Sequence, residues 1–111
     1  HLEEYESKIE TVNGVSVLLM RTENQDVQIL KDLVDTLLNK MKEGFILFAN
    51  CKGDSVNFIA RSNTRLSAGD IVKKAAQKSG GNGGGSNTFA QGAGKTTEHI
   101  EEIFDMIRKE I

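Results

Sequence analysis

The sequence predicts a single α/β domain in which helices cover a small mixed β-sheet. Two mainly apolar runs, 15–20 and 45–49, are typical of strands buried on both faces. An amphipathic helical pattern of about 17 residues separates them, as in a strand-helix-strand unit. The length of 111 residues, with 38% hydrophobic and 27% charged side chains, suits one compact core and is too short for two.

The N-terminal segment is charged and carries Leu2, Tyr5 and Ile9 at helical spacing. Residues 1–12 are therefore predicted to be a helical extension of an excised fragment, or residues left over from cloning. The domain itself is predicted to cover 13–111. Its first strand, 15–20, is entered through Asn13-Gly14.

The next helix is predicted from apolar side chains that recur every three or four residues. Thr22 or Asn24 is the expected N-cap, and Gly44 the expected end. Because this helix joins two buried strands, a right-handed crossover with parallel strands is expected. The apolar positions are Leu30, Leu33, Val34, Leu37, Leu38 and Met41.

Turn and cap signals place the following elements. Residues 52–54 (KGD) predict a hairpin turn into a third strand, 56–61. Ser67, with Asp70 three residues later, resembles a capping box and begins a second helix. The buried side of that helix is expected to be Ile71, Val72, Ala75 and Ala76.

The C-terminal part begins with a glycine-rich segment, 80–85, predicted to be a loop. A short strand, 88–91, follows it, and Thr96 or Thr97 is expected to cap the last helix. The predicted order is thus β-α-β-β-α-loop-β-α. The apolar stripe of the last helix comprises Ile100, Ile103, Phe104, Ile107 and Ile111.

Charge is distributed unevenly along the chain. Residues 1–60 contain 6 basic and 10 acidic side chains, 61–95 contain 6 and 1, and 96–111 contain 2 and 5. A basic middle segment suits a phosphate backbone, although a solvated helix face explains the same lysines. The candidate cationic residues are Arg61, Arg65, Lys73, Lys74, Lys78 and Lys95.

The glycine-rich segment suggests close backbone approach to another group, because ordering glycines is entropically expensive. One interpretation is an anion-binding nest formed by the N–H groups of Gly83, Gly84 and Gly85. Ser86, Asn87 and Thr88 would add polar donors beside it. The alternatives are a tight chain reversal or a mobile linker.

Several chemistries are excluded or disfavoured. Cys51 is the single cysteine, and His1 and His99 are the only histidines, too few ligands for a protein-built zinc site. The 94–96 triplet (GKT) resembles the end of a phosphate loop, but Phe89 stands where its first glycine belongs. No internal disulfide and no apolar run long enough for a membrane span are present, so a cytoplasmic location is expected.

Two motifs are linked in the C-terminal half of the chain. The first is 68–73 (AGDIVK), and the second runs from the 80–85 glycines (GGNGGG) to Ala90-Gln91 and Gly94. Together they resemble the C-terminal, DHH-associated domain of bacterial alanyl-tRNA synthetases. The similarity covers roughly 13–111. It implies a non-catalytic accessory domain of an ATP-dependent ligase that contacts the outer corner of tRNA(Ala) and helps couple aminoacylation with editing.

The resemblance also implies where the cofactors and partners lie. ATP, magnesium and zinc are expected only in upstream domains, which would be partners of this domain together with tRNA(Ala) and a second copy. Gln91 matches the family motif and is a candidate RNA donor, or alternatively a backbone-satisfying side chain. Phe89 is expected to pack in the core, with base stacking on RNA as the alternative.

Departures from the family pattern keep other functions open. The family usually places Arg, Pro and Asp where this chain has Ser86, Asn87 and Thr88. In related phosphodiesterases a histidine stands at the position of Ser86. A dimerisation or interdomain module, and the substrate-binding domain of a DHH-type phosphodiesterase, are therefore the alternative functions.

Overall fold

The computed structural model describes residues 2–111, so His1 of the predicted extension lies outside it. Over this range the chain forms one mixed sheet with the strand order β1-β2-β3-β4-β6-β5, and helices lie on both faces. The α/β class is confirmed. The helices are α1 (Leu2–Glu6), α2 (Val27–Met41), α3 (Ala68–Lys78) and α4 (Ile100–Glu110), and the strands are β1 (Glu10–Val12), β2 (Val15–Glu23), β3 (Phe45–Lys52), β4 (Ser55–Ser62), β5 (Asn82–Gly85) and β6 (Phe89–Gly94).

The predicted strand-helix-strand unit is confirmed. β2 and β3 pair in parallel, with Val17 opposite Phe45, and α2 connects them. β3 continues antiparallel into β4 through the predicted turn, in which Gly53 has a φ of +59°. These two strands form the centre of the sheet, so almost every β3 side chain is buried.

Two strands were not predicted. Asn13 and Gly14 both have positive φ, as a tight hairpin turn requires, and they join β1 to β2. Residues 10–12 therefore belong to the sheet rather than to a helical extension. The glycine-rich segment is also not a loop, because Asn82–Gly85 pairs antiparallel with β6 as the edge strand β5.

The sheet separates two apolar cores. α3 and α4 pack on one face, where Phe58, Val72 and Phe104 belong to one cluster. α2 and α1 cover the other face, where the Tyr5 ring lies 5.7 Å from the Phe48 ring. No helix within residues 2–111 is long and apolar enough to cross a membrane.

Both predicted boundaries of α2 are wrong. α2 is capped by Asp26, whose carboxylate accepts from the backbone N–H groups of Gln28 and Ile29, because β2 extends through Thr22 and Asn24 follows it. α2 also ends before Gly44, whose N–H donates to Asn63 Oδ1 at 2.8 Å. Lys42 instead takes the C-cap with a φ of 68°.

The predicted N-cap is correct for α3 and wrong for α4. The N-cap predicted for α3 is confirmed, since Asp70 N–H donates to Ser67 Oγ at 3.2 Å. His99, rather than Thr96 or Thr97, occupies the N-cap of α4 and makes no side-chain cap bond. The Thr96 hydroxyl instead accepts from Glu98 N–H and stabilises the turn before the helix.

Candidate functional site

The glycines of β5 and β6 allow α3 to pack directly on these two strands. A Cβ on Gly83 would lie 2.6 Å from Gly92 Cα and 2.9 Å from Val72 Cγ1. A Cβ on Gly81 would lie 2.0 Å from the Ala93 carbonyl oxygen. Close backbone approach was thus correctly expected, but its partners are β6 and α3. The strand geometry of 82–85 replaces the predicted nest loop.

The turn between β5 and β6 lies against the N-terminus of α3 and accepts hydrogen bonds from its first backbone N–H groups. Ala68 N–H donates to the Asn87 carbonyl oxygen at 2.9 Å, and Gly69 N–H donates to that of Ser86 at 2.8 Å. The Ser86 hydroxyl accepts from Phe89 N–H at 3.1 Å inside the same turn. The first N–H groups of α3 are therefore satisfied by the chain itself, which leaves no phosphate site at this helix end.

Two predicted cationic side chains are paired with the last helix. Lys74 Nζ lies 3.2 Å from Glu110 Oε1, and Lys78 Nζ lies 3.1 Å from Glu102 Oε2. His99 also contacts Glu102, and hydrogen bonds from His99 and then Lys78 hold the pKa of that carboxyl below its usual range. The acidic α4 thus balances part of the basic segment.

The remaining cationic side chains lie in different surroundings. Arg61 Nε forms an ion pair with Asp35 Oδ1 of α2 at 2.9 Å, without hydrogen-bond alignment. Arg65 Nη2 donates to the Ile111 carbonyl oxygen at 3.2 Å. Lys73 and Lys95 are exposed and form no ion pair with any residue between 2 and 111. Neither lysine side chain forms a hydrogen bond within this range, whereas Arg65 does, so these two lysines are the cations of the basic segment without any partner. We call them the available cations.

The structure does not bring all predicted site residues onto one surface. Gln91 lies opposite Ile59, whose side chain packs beneath α2, so Gln91 faces the α2 side of the sheet. Lys73, Lys74 and Lys78 lie on α3, across the sheet. The candidate residues therefore divide between two faces, with Gly83–Gly85 at the edge between them.

An uncharged polar surface on the α2 side was missed by the sequence analysis. Asn57 and Asn82 both lie opposite Ala93, one on each neighbouring strand, and Gln91 precedes Ala93 by two residues on the same face. We call these four residues the amide platform. It lines a depression of about 300 Å³, bordered by Val27. The alternation of side chains along β6 could have placed Gln91 and Ala93 on one face. Asn82 could not be placed beside them, because its segment was predicted to be a loop.

Two other singled-out side chains have structural roles. Cys51 is 1% exposed, and burial raises the pKa of its thiol. Phe89 is partly buried and packs against the core under α2, so its predicted core packing is confirmed. Both side chains therefore contribute to packing.

Comparison with known proteins gives one family and one fold. The sequence model of the DHHA1 domain family matches residues 14–111. Alanine–tRNA ligase from Alkaliphilus oremlandii is 34% identical over 107 residues, which cover 92% of this chain and 12% of that protein. The Idiomarina loihiensis enzyme is 39% identical over 95 residues, 82% of this chain and 11% of that protein. The chain therefore spans only about an eighth of these relatives.

A solved structure shares the whole architecture. The crystal structure of the C-Ala domain from Aquifex aeolicus alanyl-tRNA synthetase superimposes with a TM-score of 0.82 at 24% identity, and the match covers 92% of this chain and 96% of that one. A DHH-domain protein of an s1p family of ribosomal proteins matches less well, with a TM-score of 0.59 at 17% identity. These likenesses support the fold described above.

Proposed function

Since the chain belongs to the DHHA1 domain family, we propose that it is a non-catalytic accessory domain of an alanine–tRNA ligase that binds tRNA. The observation that carries the proposal is the similarity to alanine–tRNA ligases over 92% of the chain. Within such a ligase, the domain binds the outer corner of tRNA(Ala) and helps the aminoacylation and editing sites share one tRNA. The rest of the ligase is its second partner.

The available cations define where phosphates would bind. Lys73 and Lys95 are unpaired within residues 2–111, and Lys74 and Lys78 pair with acids only at the exposed surface. Exposed ion pairs exchange readily for another anion because water screens both partners. Few free cations imply weak binding, on the order of micromolar or poorer at physiological ionic strength, and this electrostatic binding weakens further as salt rises.

The proposal assigns the cofactors of the ligase to its other domains. Within residues 2–111, no three His, Cys, Asp or Glu side chains converge as a metal site would require. The glycines of β5 pack against α3 and β6, so they offer no loop for nucleotide phosphates. We propose, from the resemblance to the ligase family, that ATP, magnesium and zinc act in the other domains of the ligase.

Titration with deacylated tRNA(Ala) tests the proposed function. We expect binding at about 50 mM salt that weakens at about 200 mM, and no binding of a duplex that copies only the acceptor stem. The triple variant Lys73→Ala/Lys74→Ala/Lys78→Ala should bind less tightly. The control variant Lys40→Ala/Lys42→Ala/Lys52→Ala removes the same charge from exposed positions elsewhere and should keep more of the affinity.

The second candidate function is an interaction module. The pairing of Lys74 and Lys78 with α4 favours it, because this pairing reduces the cationic surface available to RNA. Absence of tRNA binding at about 50 mM salt, together with salt-insensitive self-association in sedimentation, would support this module instead. Binding of a short oligonucleotide at the β5–β6 turn would instead indicate the phosphodiesterase-type alternative.

A further inference from the structure

The amide platform is a part of the sheet that no helix covers. α3 packs on the opposite face of β5 and β6, and α2 reaches only the margin, where Val27 borders the depression. Asn82, Gln91 and Ala93 are exposed, and Asn57 is half-buried. Among residues 2–111, none provides a hydrogen-bond partner for the three side-chain amides. The platform therefore presents free donors and acceptors.

The floor of the platform is flat and open. Gly84 lies opposite Gln91, and a Cβ built on it would meet no atom within 4 Å. Ala93 contributes only a methyl group between the two asparagines. Since neighbouring strands are about 4.8 Å apart, Asn57 and Asn82 stand about 10 Å from each other across Ala93. A planar ring fits between side chains spaced in this way.

The chemistry of the lining restricts the occupant. All residues that line the depression are uncharged, so the depression itself offers no counter-charge to a phosphate or a carboxylate. An added peptide strand would pair with the free edge of β5, in the plane of the sheet, and would not fill the depression, which lies on the face of β4, β6 and β5. Amide side chains read the donor and acceptor edges of nucleobases, and unpaired RNA bases expose these edges.

A free cation stands at the end of the platform. Lys95 follows Ala93 by two residues, is exposed, and forms no ion pair within residues 2–111. Its backbone N–H donates to the Ser79 carbonyl oxygen at 2.7 Å, which holds this position beside the end of β6. An uncharged surface that ends in one cation is complementary to a nucleotide, which has an uncharged base and an anionic phosphate.

We propose that the amide platform binds one unpaired nucleobase of RNA. Gln91, Asn57 and Asn82 bond the edges of the base, which lies on Ala93 and Gly84, and Lys95 contacts the adjoining phosphate. This inference rests on the proposed function, because it names the surface on which the bound tRNA presents a base.

Two substitutions test the platform without disturbing the core. Gly84→Val projects a side chain into open space above the platform, and Gln91→Ala removes one exposed amide. The affinity for tRNA(Ala) should fall about fivefold or more for each variant. Gln77→Ala and Asn39→Ala remove exposed amides from α3 and α2 and serve as matched controls. Thermal unfolding of each variant checks that the fold is retained.

Salt dependence separates the base contact from the phosphate contact. Gln91→Ala should weaken binding without changing the slope of affinity against salt, whereas Lys95→Ala should reduce this slope by about one unit. If Gly84→Val and Gln91→Ala both bind tRNA as the wild type does, the platform inference is overturned and the proposed function stands. Absence of tRNA binding by the wild type overturns both. If the two variants lose only self-association, the platform binds a second copy and the inference is wrong.

Discussion

Gly83 and Gly92 oppose each other across β5 and β6 at a distance that leaves no room for a side chain on either residue. A Cβ on Gly92 would lie 2.8 Å from Gly83 Cα, and a Cβ on either glycine would lie 2.9 Å from Val72 Cγ1. α3 therefore approaches the two strands at backbone distance. This packing explains Gly81, Gly83 and Gly85 without a bound ligand, and it distinguishes them from Gly84, where a Cβ would meet no atom within 4 Å.

Alanine substitutions at Gly83 and Gly84 should have opposite consequences for stability. Gly83→Ala should reduce the free energy of unfolding by about 1–3 kcal/mol, because backbone and Val72 must move to admit the methyl group. Gly84→Ala enters open space and should be neutral or stabilise by about 0.4–1 kcal/mol, because it restricts the unfolded chain. Urea denaturation measures both values. Equal losses would contradict the packing described here.

The cap of α2 gives a second stability prediction. Asp26 accepts from Gln28 N–H at 2.8 Å and from Ile29 N–H at 3.1 Å, so Asp26→Ala leaves both donors without this partner. We expect a loss of about 0.5–2 kcal/mol in the free energy of unfolding. Asn39→Ala, on the same helix but without a cap bond, is the control. A loss no larger than that of the control would show that Asp26 does not cap the helix.

Local patterns predicted the centre of the fold but not its edges. The apolar runs that became β2 and β3, and the helical spacing of Leu30, Val34 and Leu37, each reflect burial that a short window of sequence displays. β5 was missed because its glycines have low strand propensity and are held as a strand by α3 and β6. Its existence depends on packing between distant segments.

The candidate site was harder to predict because its properties depend on distant partners. The pairing of Lys74 with Glu110 spans 36 residues, and nothing near Lys74 in the sequence indicates it. The position of Gln91 beside Asn57 and Asn82 likewise requires the strand order β4-β6-β5. The excess of basic side chains in residues 61–95 could therefore be counted from the sequence, but the sequence did not show which of them form ion pairs.

Protonation of Glu102 should remove one small stabilising contribution at acidic pH. His99 and Lys78 lower the pKa of this carboxyl from its ordinary value of 4.5, so the folded state holds the proton less tightly than the unfolded state. The contribution is therefore present above the unfolded pKa and is lost as pH falls through the folded pKa. The Tm difference between wild type and Glu102→Gln should be present at about pH 7 and should shrink as pH falls below 4.5 and through the lowered folded pKa. A pH-independent difference would contradict this assignment.

Releasing the lysines of α3 from α4 should strengthen RNA binding if these lysines face the phosphates. Glu110→Gln and Glu102→Gln leave Lys74 and Lys78 without their present partners, so their charge becomes available. We expect the affinity for tRNA(Ala) at low salt to rise severalfold, with a steeper dependence on salt, because more counterions are released. Any lost carboxylate raises affinity for a polyanion to some extent. Glu101→Gln therefore serves as the control, since Glu101 is exposed on the same helix and forms no ion pair with residues 2–111. Equal gains for all three variants would place the RNA away from α3, leaving Lys95 and the amide platform as the surface to examine.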